Sequence, residues 1–138
     1  MNEKSFEKEF AFRAKLAGML YVKIPDPIMT NYRLRNMARR GISDEPLRPF
    51  DGILITPGNN YCLEFKYQYG KLKYHQKLNQ DAINKINKSF YVIRKIKRKY
   101  EIIYRIEYNN EIIYETKQIE NLLSFFEEVS NEQNKLNR

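Results

Sequence analysis

A mixed α/β (α+β) fold, a central sheet flanked by helices, is what this sequence of 138 residues predicts. Three observations lead there. Apolar runs rich in β-branched and aromatic residues, bounded by turn chemistry, alternate with stretches of helical period. The order along the chain reads helix, strand, long polar segment, hairpin, helix, strand, hairpin, helix. The length suits one domain, 1–138, with a single core and is too short for two.

Each element has its own warrant. Ser5 is placed to cap a first helix over Phe6–Ala17, and Gly18 ends it. Phe10, Ala14 and Ala17 lie on one side of that helix, with Glu7 along the edge. Met19–Ile24 is a short strand, stopped by Pro25-Asp26-Pro27. Residues 28–48 show no clean period and hold Arg, Asn, Gly and Pro, so 25–48 reads as an irregular basic insertion or arm. Phe50–Thr56 and Tyr61–Phe65 are then joined by Pro57-Gly58-Asn59-Asn60, which reads as a β-hairpin.

If Thr56 pairs with Tyr61, Asp51 falls opposite Lys66 and Ile53 opposite Glu64. Tyr67–Lys73 is a loop that turns at Gly70. From Tyr74 to Asn87, Leu78, Ala82 and Ile86 stand four apart and predict a second amphipathic helix. Ser89–Ile96 is a strand, and Tyr100–Tyr108 with Glu111–Glu115 forms a second hairpin around Asn109-Asn110, a pair suited to a type I′ turn. Ile119, Leu122, Phe126 and Val129 line a final helix, and Ser130–Arg138 is a polar tail expected to fray.

The net charge of +8 is unevenly spread. Residues 66–99 carry eleven Lys or Arg against one acid, Asp81, whereas residues 101–138 carry eight acids against four bases. The arm holds a second basic patch, from Asn31 to Arg40, with four arginines and no acid. A polyanion is the expected partner, bound in a salt-dependent way. AT-rich coding alone can enrich lysine, but it does not account for the arginines. No window is apolar enough for a membrane span, and no signal peptide is evident at the N-terminus. The one cysteine, Cys62, sits in an apolar run and reads as a small hydrophobe, so a cytoplasmic setting is expected.

Chemistry concentrates on the first hairpin. Side chains alternate along a strand, so Glu64 and Lys66 share a face, and the expected register brings Asp51 to it. Two carboxylates so placed can grip one divalent cation, with the Lys66 ammonium beside a metal-bound water. The bland alternative is a wet hairpin face on which opposite charges contribute at most about 1 kcal/mol. Ile53, Ile55 and Cys62 share the face and argue against that.

These residues resemble the signature of PD-(D/E)xK nucleases, with Pro49 close to its usual place before the first acid. The resemblance covers roughly residues 5–96 and is nearest to Holliday-junction resolvases. It implies a restriction-endonuclease-like sheet, with a basic arm between the first two strands and a C-terminal hairpin plus helix beyond the resemblance. The run Glu7-Lys8-Glu9-Phe10 before Gly18 is similar to the first helix of those resolvases, where a glutamate joins the metal site. Spacing to Gly18 points to Glu7 rather than Glu9. His75-Gln76 resembles the start of their next helix, which implies an active-site role for Gln76.

The activity so implied is Mg²⁺- or Mn²⁺-dependent hydrolysis of DNA phosphodiesters. Asp51, Glu64 and Glu7 would bind the metal, Lys66 would orient water, and Gln76 would position water or phosphate. His75 is the only histidine, and the scheme needs no base from it. Arg33, Arg35, Arg39, Arg40, Lys71 and Lys73 would contact phosphates, with Tyr32 free to stack on a base. A four-way junction as substrate would call for a homodimer. Two alternatives stand: a nuclease for duplex, flap or nicked DNA, and a nucleic-acid-binding module without catalysis.

Overall fold

Alternating polar and apolar residues build six strands that lie side by side in one sheet, in chain order. The computed structural model describes residues 2–25 and 48–136. The arm residues Tyr32, Arg33, Arg35, Arg39 and Arg40 lie outside the described residues. The elements are α1 (Glu3–Leu16), β1 (Leu20–Lys23), β2 (Gly52–Ile55), β3 (Asn60–Tyr67), α2 (Tyr74–Ile86), β4 (Phe90–Lys97), β5 (Ile102–Tyr108), β6 (Glu111–Thr116) and α3 (Glu120–Leu136). All neighbouring strands are antiparallel except β3 and β4, which run parallel because α2 carries the chain back between them. The expected mixed sheet flanked by helices is therefore observed.

The core lies on one face, under α1 and α3. Phe65 of β3 meets the rings of Phe6, Phe10 and Tyr21 at 5.3, 5.2 and 5.5 Å, each near edge-to-face. Leu54, Tyr61, Leu63 and Ile93 join it from the sheet, and Ile119, Leu122 and Phe126 from the segment that starts α3. Burying each such side chain contributes roughly 1.5–3 kcal/mol. The second hairpin turns as expected, with Asn109 and Asn110 both at positive φ (49° and 69°), which that turn requires.

Several expectations change. Asn2, not Ser5, caps α1: its side chain accepts the Ser5 N–H at 3.0 Å, so the helix starts a turn earlier and Phe6 enters the core. Ala17 is exposed beyond the helix end, and Gly18 takes the positive φ (80°) that follows it. The first hairpin is tighter than expected. Thr56 N–H donates to Asn59 O at 3.0 Å, so Ile55 pairs with Asn60, Leu54 with Tyr61 and Ile53 with Cys62. That slides the pairing by two residues, which leaves every side chain on its face because alternation has period two.

The face of α2 is inverted. Leu78 (50% exposed) and Ile86 (83%) point to solvent, while Gln76, Gln80 and Asn84 turn to the sheet. The far side of the sheet is mixed there, with Glu64, Lys66 and Arg94 beside buried Phe90 and Val92, and the helix turns amides to the hydrogen-bonding groups it offers. Asn84 accepts the Phe90 N–H at 2.9 Å and donates to Asn109 at 2.7 Å, tying helix, strand and hairpin together. The polar tail from Ser130 is also corrected. Helix α3 continues through Leu136, and Ser130 is buried with its hydroxyl 2.6 Å from Thr56 and 2.9 Å from Tyr61.

Candidate active site

Asp51 sits where three strands meet, just before β2. Its N–H donates to Leu63 O (3.0 Å), its C=O accepts from Ile24 (2.9 Å), and its Oδ2 accepts the Phe65 N–H (2.7 Å). The Pro49 carbonyl accepts from Asn79 Nδ2 at 3.2 Å, and the Asp51 carboxylate serves as acceptor for the Phe65 N–H where regular pairing ends. The bonds to Leu63 and Phe65 bracket Glu64 and bring Asp51 beside it rather than opposite Lys66. Strand alternation aims Glu64 and Lys66 away from the core, towards α2, with the ammonium 3.9 Å from Glu64 Oε1. All three side chains are buried.

Burial of like charges has a large electrostatic consequence. Desolvation first, then the Asp51 charge, pushes Glu64 up to about 8, against the opposing pull of Lys66 and Arg48. Desolvation also raises Asp51, despite the Phe65 amide and the Arg48 guanidinium. Gln76, on the first turn of α2, donates to Glu64 Oε1 at 2.7 Å while its own carbonyl accepts the Lys73 N–H at 2.8 Å. Glu64 Oε2 is buried with no hydrogen-bond partner. A buried carboxylate oxygen left bare is costly and calls for a cation.

The third acid, Glu7, shares a cavity with Asp51 from the side of α1. This cavity of about 480 Å³ is lined by Glu7, Asp51, Lys23, Arg48 and Tyr67, together with the N-terminal turn of α1. Glu7 is buried; Tyr21 Oη donates to its Oε2, and Lys23 lies 3.4 Å from its Oε1. Burial and the Glu7 charge hold the Tyr21 hydroxyl well above the usual phenol range, so it stays a donor. Gly52 makes room for this ring: a Cβ there would strike the Tyr21 hydroxyl and lie 2.6 Å from Val22 O. Glu9 is turned elsewhere, to Lys95 at 3.6 Å, and does not line this cavity.

The remaining expectations divide. Lys71 and Lys73 are exposed on the loop before α2. That loop is pinned by Arg94, which donates to Gln68 O (2.9 Å) and Gly70 O (2.7 Å) while pairing with Glu107 at 2.6 Å. His75 is half-buried, and desolvation with the charges of Lys73 and Lys66 lowers its imidazole below the usual range. Tyr21, Lys23 and Arg48 belong to the site, though sequence reasoning passed over them. The one available signal was position: Arg48 stands three residues before Asp51, and Tyr21 and Lys23 alternate on β1.

Among the described residues, no three His, Cys, Asp or Glu side chains form a ready cage for a metal ion. Asp51 and Glu64 nevertheless fit a hard divalent cation. Mg²⁺ takes one or two carboxylates and keeps several waters, and the bare Glu64 Oε2 supplies an unused donor. No helix among the described residues is long and apolar enough to cross a membrane. Compared with known protein families and with curated proteins, the chain matches neither a family model nor any such protein.

Proposed function

We propose that this chain is a metal-dependent endodeoxyribonuclease that hydrolyses phosphodiesters in DNA, with four-way junctions as its preferred substrate. The observation that carries the reading is the buried pair Asp51 and Glu64, with one glutamate oxygen bare and Lys66 beside it. Further support comes from the resemblance of Asp51, Glu64, Lys66, Glu7 and Gln76 to the nuclease signature, and from the net charge of +8. A buried carboxylate oxygen without a hydrogen-bond partner is rare unless it has work to do.

In this reading Asp51 and Glu64 hold one Mg²⁺ or Mn²⁺ ion. The ion supplies positive charge to the phosphoryl oxygen and a more acidic water. Lys66 orients the attacking water and offsets negative charge as it grows in the transition state. Gln76 fixes Glu64 through Oε1, which leaves Oε2 for the ion. Glu7, steadied by Tyr21 and Lys23, borders the pocket on the side away from α2. Lys71, Lys73 and the arginines of the arm bind phosphates of the flanking strands. Matched cuts on a two-fold junction call for a symmetric dimer.

The test is cleavage of a labelled four-way junction and its component duplexes in Mg²⁺, Mn²⁺ or EDTA, beside Lys66→Ala. Paired nicks on the junction alone, lost in EDTA and in the variant, are expected. Equal cutting of duplex would move the substrate to ordinary DNA. Binding without cutting in either metal would overturn the nuclease reading in favour of a binding module.

A further inference from the structure

Arg48 reaches the acid pair from the residue stretch just before Asp51. Its Nη2 lies 2.6 Å from Asp51 Oδ1, and Nη1 lies 3.4 Å from Ile24 O. Asp51 Oδ2 is already engaged by the Phe65 N–H, so Oδ1 is the oxygen that Arg48 and an incoming cation would share. The guanidinium sits at the wall of the 480 Å³ cavity, a quarter exposed, with Lys23 and Lys4 on the same wall. A cavity of that volume accommodates a nucleotide-sized group.

Charge counting sharpens the point. With all three acids ionised, as a bound cation requires, Glu7, Asp51 and Glu64 supply three negative charges against three positive ones from Lys23, Arg48 and Lys66. A divalent ion on the acid pair would leave an excess of two positive charges. A phosphate brought to the cavity restores part of that balance, and a planar guanidinium is the side chain best shaped to take it.

We infer that Arg48 is a resident counter-ion of the acid pair, released from Asp51 when a divalent cation binds and then engaged with a phosphate oxygen of the bound strand. This rests on the proposed cation site. It gives Arg48 opposite effects on two ligands: it competes with the metal and assists the nucleic acid.

The test uses the full chain and two variants, Arg48→Gln and Arg48→Lys. Mn²⁺ affinity is measured without DNA, by electron paramagnetic resonance of the free ion. Affinity for a labelled DNA duplex is measured with Ca²⁺ in place of Mg²⁺. Arg48→Gln should bind Mn²⁺ roughly fivefold tighter and the duplex several-fold more weakly. Arg48→Lys keeps the charge, so its Mn²⁺ affinity should stay near the parent value while duplex binding falls. Unchanged or weaker Mn²⁺ binding by Arg48→Gln overturns the inference, and so does unchanged duplex binding. Asp51→Asn separates the two readings. If the parent binds Mn²⁺ and Asp51→Asn does not, the cation site stands whatever Arg48 does. If neither the parent nor Arg48→Gln binds Mn²⁺, both fall.

Discussion

The two faces of this sheet are built on opposite principles, although adjacent residues of one strand supply both. On one face Leu63 and Phe65 of β3 meet α1 and α3 in a dry aromatic core. On the other, Glu64 accepts from Gln76 of α2 and pairs with Lys66 of its own strand, and Gln76, Gln80 and Asn84 are the helix's buried residues. The first face gains stability from every side chain it buries. The second buries charge, raises two carboxylates and leaves Glu64 Oε2 bare. A fold selected for stability alone has no use for that arrangement; a cation site does.

The comparison predicts where damage should fall. The largest loss of stability should follow Phe65→Ala, about 3–5 kcal/mol by urea unfolding, because it empties the centre of the aromatic cluster. A smaller effect is expected from pH. The folded protein holds a proton on Glu64 up to about 8, whereas the unfolded chain releases it in the ordinary carboxylate range. Metal-free stability should therefore be greater at low pH and fall as pH rises towards 8, by on the order of 2 kcal/mol. Saturating Mg²⁺ should flatten that slope, and a slope unchanged by metal would count against the cation site.

Gln76→Ala should leave the fold in place, shown by an unchanged circular dichroism spectrum. It should reduce metal-dependent cleavage roughly tenfold, because a glutamate without its hydrogen bond is poorly aimed. The smallest effect belongs to the outer side of α2. Ile86→Lys should change stability, followed by thermal unfolding, by less than about 0.5 kcal/mol, since the side chain is 83% exposed. A large loss there would mean that the apolar stripe is covered after all.

Much of this was legible in the residues. Strand alternation was enough to bring Glu64 and Lys66 to one face with Asp51, and even a register slid by two kept them together. The Asn109-Asn110 turn and the final helix were readable from local chemistry. The inverted face of α2 was not, because Leu78, Ala82 and Ile86 share their spacing with the stripe Gln76, Gln80 and Asn84, merely rotated. Only what the helix meets on the sheet decides between the stripes, Glu64 for Gln76 and the Phe90 N–H for Asn84, and that is a tertiary fact. Arg48 and Tyr21 escaped for the same reason, since their partners are a bend and a helix that periodicity does not bring together.

Glu64, in the proposed function, is buried at the expense of stability because it holds a cation. That role is tested most directly by Glu64→Gln, with stability and DNA cleavage measured on one preparation at pH 8. The variant should be more stable than the metal-free parent by about 1–2 kcal/mol, yet slower by at least roughly 100-fold in Mg²⁺. A variant that cleaves as fast as the parent, or one that loses stability together with activity, would contradict that role.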